Sequence, residues 1–209
     1  MPQVGLSIKD RWKLACNTGP KRLRLISGSI IIFAIIIYLP YFFRGIEQRQ
    51  GVVLHDWLLA QVPPHNVSVA IFVIIWGMGL LILYRAIYKP SIYLVYSWSL
   101  IFVCIARMIS ISIVALNPPI GLIPLSDPLT GVFYGQALIT KDLFFSGHIT
   151  TVMLIFLCLE KKTDKIIAFF SIIAIAVLLI IQHIHYTIDI LAAPVITYTV
   201  YRFTLYLLF

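Results

Sequence analysis

The sequence predicts an all-α polytopic membrane protein with six transmembrane helices, and three observations carry that reading. The 209 residues are 61% hydrophobic and only 11% charged, where a soluble domain carries about 25% charged residues. The apolar residues gather into six runs, each near the roughly 20 residues that a spanning helix needs. Of the 16 Lys and Arg residues, 14 lie outside those runs, before the first or between them, as basic residues do at the ends of membrane helices.

Each run is justified by its length and its flanks. The first, Leu25 to Phe43, follows a basic segment of residues 1–24; the membrane domain then occupies residues 25–209. A basic start followed by a full-length apolar run reads as a retained helix rather than a cleaved leader. The second and third runs are Val67 to Tyr84 and Ser91 to Leu116, parted by Arg85 and Lys89. The fourth and fifth, Leu143 to Leu159 and Ile166 to Ile181, are short, so their ends are expected to extend into flanking polar residues. The sixth is Ile188 to Phe209. Helices are the default because lipid satisfies no backbone hydrogen bond. Residues 7 to 15 place Ile8 and Trp12 one turn apart among Lys9, Arg11 and Lys13. That pattern fits a short amphipathic helix on the inner surface or, equally, a disordered basic tail.

The net charge of +8 does not indicate nucleic acid, because the basic residues lie at the ends of apolar runs. Cys16, Cys104 and Cys158 form no disulfide framework and no Cys-x-x-Cys metal spacing. Orientation follows from the same charges. Eleven Lys and Arg residues fall on the side of the N-terminal segment and the second and fourth connections, against three (Arg44, Arg49 and Lys141) on the other. Both termini are therefore expected in the cytoplasm, with the connections 44–66 and 117–142 and the turn from Gln182 to Thr187 facing outward.

Ionisable groups at membrane depth are costly and mark functional positions. Asp142, Ser146, Gly147 and His148 open the fourth run, and His183, His185 and Asp189 surround the start of the sixth. Arg107 lies nine residues before Leu116, roughly 13 Å below the expected outer end of the third helix. The alternating directions of the helices bring Arg107, His148, His185 and Asp189 to one depth on the outer side. Arg202, thirteen residues beyond Asp189, reads as a side chain snorkelling inward.

His185 and Asp189 are four residues apart, so a carboxylate can orient the imidazole and stabilise its charged form. Such an imidazole can attack phosphorus, and His148 can protonate the leaving oxygen. Arg107 can neutralise phosphate charge, with Ser146 and the Gly147 amide as donors. Competing readings are histidines that only bond a neighbouring helix, a metal site from His183 and His185, and a haem clamp. The metal reading is weakened because residues two apart on a helix diverge, and haem leaves Asp189 and Arg107 without a role. A rhomboid-like Ser/His protease wants Gly two positions before the Ser, where this chain has Phe144.

The segments Asp142-Leu-Phe-Phe-Ser-Gly-His148 and His183-Ile-His-Tyr-Thr-Ile-Asp189 resemble the two catalytic motifs of the sphingomyelin synthase family, a branch of the type 2 phosphatidic acid phosphatase (PAP2) superfamily. The run from Arg107 to Pro118 is similar to the family's Arg-led motif, and Leu54-His-Asp-Trp-Leu58 with Pro63-Pro64 faintly echoes an upstream one. The resemblance covers roughly residues 50 to 205 and implies a PAP2-like bundle of six helices with an outward-facing site. It implies His185 as nucleophile forming a phosphohistidine, Asp189 as its partner and His148 as general acid. No metal or cofactor is implied; Arg107, Ser146, Gly147, Lys141 and Asp142 would hold the substrate phosphate. The partners would be a phospholipid donor and a lipid alcohol, such as ceramide or a diacylglycerol, or water as acceptor. Three departures are visible. Ile184 stands where the family has an acidic residue, and the Asn117 to Asp142 connection is shorter than in the animal enzymes. The superfamily's outer Lys and Arg-Pro motif has no counterpart, because Lys89-Pro90 falls on the cytoplasmic side. These departures leave the choline headgroup open and point to a compact, bacterial-type relative. Transfer of a phospho-headgroup, hydrolysis of a lipid phosphate or phospholipid, and non-enzymatic lipid binding or flipping are the readings to be separated.

Overall fold

A computed structural model describes residues 6–125 and 139–209. The connection expected between residues 117 and 142 therefore lies partly outside the described residues. Among the described residues there are seven α-helices and no strand. They are α1 (Ile8–Cys16), α2 (Gly19–Glu47), α3 (Ser68–Tyr88), α4 (Pro90–Ile113), α5 (Gly147–Cys158), α6 (Lys162–Ile181) and α7 (Thr187–Leu208). A single 3-10 turn spans Leu59–Gln61.

Five of the helices, α2, α3, α4, α6 and α7, are long and apolar enough to cross a membrane. Large apolar side chains such as Phe33, Leu80, Phe170 and Val195 are exposed on their outer faces, as a lipid-facing surface requires. The fourth apolar run departs from expectation. Its helix, α5, has 12 residues and so spans about 18 Å, well short of a hydrocarbon core about 30 Å thick. Instead of extending outward, the run enters as irregular chain through residue 146. Non-helical backbone is tolerated at such depth where protein buries it. Leu143, Phe145 and Ser146 are at most 2% exposed.

The short helix is the centre of the bundle. It packs against α6, α7, α4 and α3, and Ile149, Val152, Leu154 and Ile155 are buried all round it, the pattern of a core helix. Ile71, Met78 and Ile82 of α3, Ile175 and Leu179 of α6 and Ala193 of α7 complete that core. By contrast α2 packs on α4 and α1. Several boundaries shift: α2 spans Gly19–Glu47, so its first six residues fall in the segment 1–24 expected to precede the membrane domain, and α3 extends to Tyr88. α4 stops at Ile113 rather than Leu116, because Val52 and Leu116 form an isolated parallel bridge and Asn117 Nδ2 donates to the Gly51 carbonyl at 2.7 Å. Arg107 is thus six residues, about 9 Å, from the end of its helix. α6 begins at Lys162, within the polar flank as expected.

At the other end of the bundle, residues 8–16 are helical. Ser7 caps α1 by accepting the Asp10 N–H at 3.2 Å. Trp12 Nε1 donates to the Ile87 carbonyl at 2.8 Å and Arg11 to that of Tyr88 at 3.2 Å. Both acceptors belong to the last turn of α3, whose carbonyls have no partner within the helix. Arg202 is exposed on α7, with Nη1 3.3 Å from the Tyr198 hydroxyl.

Candidate active site

Three elements assemble the site: α4 carries Arg107, the chain entering α5 carries Asp142, Ser146, Gly147 and His148, and the turn into α7 carries His185 and Asp189. The entry to α5 is locally strained. Phe144 and Phe145 have φ of 67° and 46°, a left-handed conformation costing on the order of 1–3 kcal/mol per non-glycine residue. Burial of the Phe145 ring and acceptance of an Arg107 N–H by its carbonyl hold the conformation. Ser146 then caps α5, its hydroxyl accepting the Ile149 N–H at 3.4 Å. Its own N–H donates to the Asp189 carbonyl at 3.1 Å, a backbone bond that joins the two histidine segments directly.

Arg107 is fixed from four sides. It pairs with the Asp142 carboxylate, donates to the Phe145 carbonyl and lies with Cζ 5.3 Å from the Phe145 ring centroid. The fourth contact explains Gly147: a Cβ there would stand 2.9 Å from Cζ and from Nη2 of Arg107. Only glycine lets the guanidinium lie against the first turn of α5, where the positive end of the helix dipole also falls.

The rings of His148 and His185 meet edge to face, centroids 5.7 Å apart and planes at 67°. His185 is 1% exposed and Asp189 is fully buried. His185 Nδ1 stands 3.5 Å from Asp189 Oδ2, and that oxygen also accepts the Tyr186 N–H at 3.3 Å. His185 precedes α7, whose cap is Tyr186, so the i,i+4 contact forms across the cap rather than along a helix face. Both ring nitrogens of His185, Nδ1 of His148 and Oδ1 of Asp189 have no hydrogen-bond partner among the described residues. A buried polar atom without a partner costs about 1–3 kcal/mol. Four of them converging on the two rings and their carboxylate mark a site built for a polar ligand.

The remaining expected residues lie elsewhere. Lys141 is engaged at the C-terminal end of α2, its ammonium held by the carbonyls of Glu47 and Arg49. His183, at φ 55°, points away from His185. Its Nδ1 is 2.9 Å from the Ile120 carbonyl and its Nε2 2.8 Å from that of Val62, so it clamps two connections together.

Two supporting carboxylates escaped the sequence reading. Glu47 accepts from the Thr140 and Lys141 N–H groups at 2.6 and 2.7 Å, which sets the chain just before Asp142. Asp56 accepts from the Thr187 N–H at 2.6 Å and the Thr187 hydroxyl at 3.0 Å, which sets the first turn of α7. Burial pushes the Asp56 carboxyl up, but bonds from Thr187, Leu58 and Leu59 outweigh it and hold it below the usual carboxylate range. The only sequence signal was the faint upstream motif containing Asp56; Glu47 gave none.

Fold and site together define an integral membrane protein built of helices, with a buried His185–Asp189 pair, the half-buried His148 beside it and an arginine nearby. Residues 141–207 match the family model described as PAP2 superfamily C-terminal. The matched stretch contains both histidine segments and ends short of Arg107 on the N-terminal side. The match covers about a third of the chain and makes that segment similar to the C-terminal part of PAP2 superfamily proteins. No curated protein matches the chain.

Proposed function

We propose that the protein is a membrane-embedded lipid phosphotransferase that moves a phospho-headgroup to a lipid alcohol, in the manner of the sphingomyelin synthases, through a phosphohistidine. The observation that carries this is the adjacent pair of histidines with Asp189 beside one of them. In the forward half-reaction His185 Nε2 attacks phosphorus while Asp189 Oδ2, 3.5 Å from Nδ1, draws the ring proton to Nδ1 and so keeps the attacking lone pair on Nε2. His148 gives its proton to the leaving lipid oxygen. Arg107 and the N-terminus of α5 meet the charge on the phosphoryl oxygens. In the second half His148 takes a proton from the acceptor alcohol, whose oxygen attacks phosphorus and frees His185. Water in place of the alcohol makes the same machinery a hydrolase.

The charge count supports both termini in the cytoplasm and the site toward the outer side. Arg107 is currently paired with Asp142, so substrate phosphate is expected to share or displace that carboxylate.

The test is a panel of headgroup-labelled phospholipids offered to purified protein, with and without ceramide or diacylglycerol, read by mass spectrometry. A new phospholipid that needs the acceptor is expected. Release of phosphate or phospho-headgroup alone establishes hydrolysis instead. His185→Ala, His148→Ala and Asp189→Asn should each lower turnover by about 10³-fold or more. Turnover unchanged in His185→Ala overturns the enzymatic reading in favour of a lipid-binding or flipping protein.

A further inference from the structure

A cavity of about 310 Å³ opens within the bundle between α2 and α3, with α4 and α5 behind it. Its walls are apolar: Phe42 of α2, Ile75 and Trp76 of α3, Val103 of α4 and Leu154 of α5. One end is not, because Arg107, Asp142, Gly147 and His148 line it as well. The cavity therefore joins the charged end of the site to the apolar interior, a shape suited to a molecule with an anionic head and a hydrocarbon body.

One polar group in it has no assigned task. Thr150 is 2% exposed, lines the cavity, and its Oγ1 has no hydrogen-bond partner among the described residues. That is unusual for this chain. The hydroxyls of Thr151, Ser171, Thr197, Thr199 and Thr204 all donate to the carbonyl four residues earlier, the default for a hydroxyl on an apolar helix. Ser99 shares the exception but does not line the cavity. Thr150 lies three residues beyond Gly147, on the same face of α5 and about 4.5 Å further along it from the Arg107 end of the cavity. That is the step from the phosphate of a phospholipid toward its first chain linkage.

Resting on the proposed function, we propose that this cavity receives one acyl chain of the phospholipid whose phosphate is held at Arg107, with the Thr150 hydroxyl donating to the ester or amide carbonyl at the head of that chain. The substrate class is then a lipid with a carbonyl-linked chain. A polyprenyl phosphate, which has no carbonyl there, leaves Thr150 unpartnered. The chain enters sideways from the bilayer, so the lipid need not leave the membrane to reach His148.

The experiment is photo-cross-linking in nanodiscs with a phospholipid carrying a diazirine in its acyl chain, followed by peptide mapping. Cross-links are expected on cavity residues such as Phe42, Ile75 and Trp76, and to fall at least about ten-fold in Ile75→Trp and in Leu39→Trp, which fill the cavity from opposite walls. Ester-linked phospholipid should compete about five-fold better than its ether-linked analogue, the scale of one hydrogen bond. Thr150→Val should erase that preference and Thr150→Ser keep it. Cross-links spread over the outer faces of α2 and α3, and unchanged in both filled variants, overturn the cavity assignment. An ester preference that survives Thr150→Val overturns the role of the hydroxyl. Turnover of the same lipid is followed in parallel. Cross-linking without turnover rejects the enzymatic reading and leaves the cavity assignment standing; turnover without cavity cross-links does the reverse.

Discussion

Gly147 shows how a site can depend on an atom that is absent. Its missing Cβ is the space that Arg107 occupies, with guanidinium atoms 2.9 Å from where that carbon would be. Gly147→Ala must push Arg107 off the first turn of α5, yet it leaves His148, His185 and Asp189 unaltered. Displacement of a charge-stabilising group by about 1 Å is enough to cost on the order of 10²-fold in rate. Gly147→Ala is therefore expected to lower kcat by about that factor in the headgroup-transfer assay, while the protein still inserts and elutes as wild type. Wild-type kcat would mean that Arg107 can move without loss and is not a phosphate ligand. The residue type at 147 was legible in the sequence, but its reason was not. A glycine before a histidine reads as a backbone donor, whereas the structure makes it a seat for a side chain from forty residues earlier.

At the level of elements, the ends of α3, α6 and α7 fall close to where hydrophobicity and charge put them. The sixth run was expected from Ile188 and begins at Thr187. The failures share one cause. Leu143 to Phe145 and Val114 to Leu116 are apolar and were absorbed into helices, but a buried loop is as apolar as a buried helix. What separates them is the positive φ of Phe144 and Phe145 and the bridge from Val52 to Leu116, neither of which has a sequence period. The same holds for Asp56, a lone acid in a loop that caps a helix from outside. Its depressed pKa has a testable sign. Such a group stabilises the fold above its unfolded value of about 3.9, and that contribution is lost as pH falls through the lower folded value. Asp56→Asn should lower stability by about 1 kcal/mol near neutrality. It should also flatten the loss of thermal stability in detergent between about pH 5 and pH 3. Parallel acid limbs for the two proteins would reject a role for the Asp56 charge.

For the whole molecule, the bundle is four long helices around a short one, with α2 outside against α4, and the charge pattern carries an expectation of its direction through the membrane. Charges sit at helix ends because burying them costs energy, so they can be counted without a structure. Gln61 and Lys162 are both exposed and lie at opposite ends of the bundle. In a background with Cys16, Cys104 and Cys158 replaced, an impermeant maleimide should label Gln61→Cys on intact cells and Lys162→Cys only after permeabilisation. The reverse pattern overturns the assigned orientation and the outward site together.

The burial of His185 and Asp189 bears on the choice between acceptors. On the proposed reading, a phosphohistidine formed on His185, which is 1% exposed, stands where bulk solvent has little access. A neutral lipid alcohol meets no such barrier, since it is already concentrated in the surrounding bilayer and gives up few hydrogen bonds on entering. On the proposed reading, dryness itself is the selectivity filter. The intermediate survives long enough to meet an alcohol because the competing nucleophile, however abundant outside, is scarce where the bond is broken.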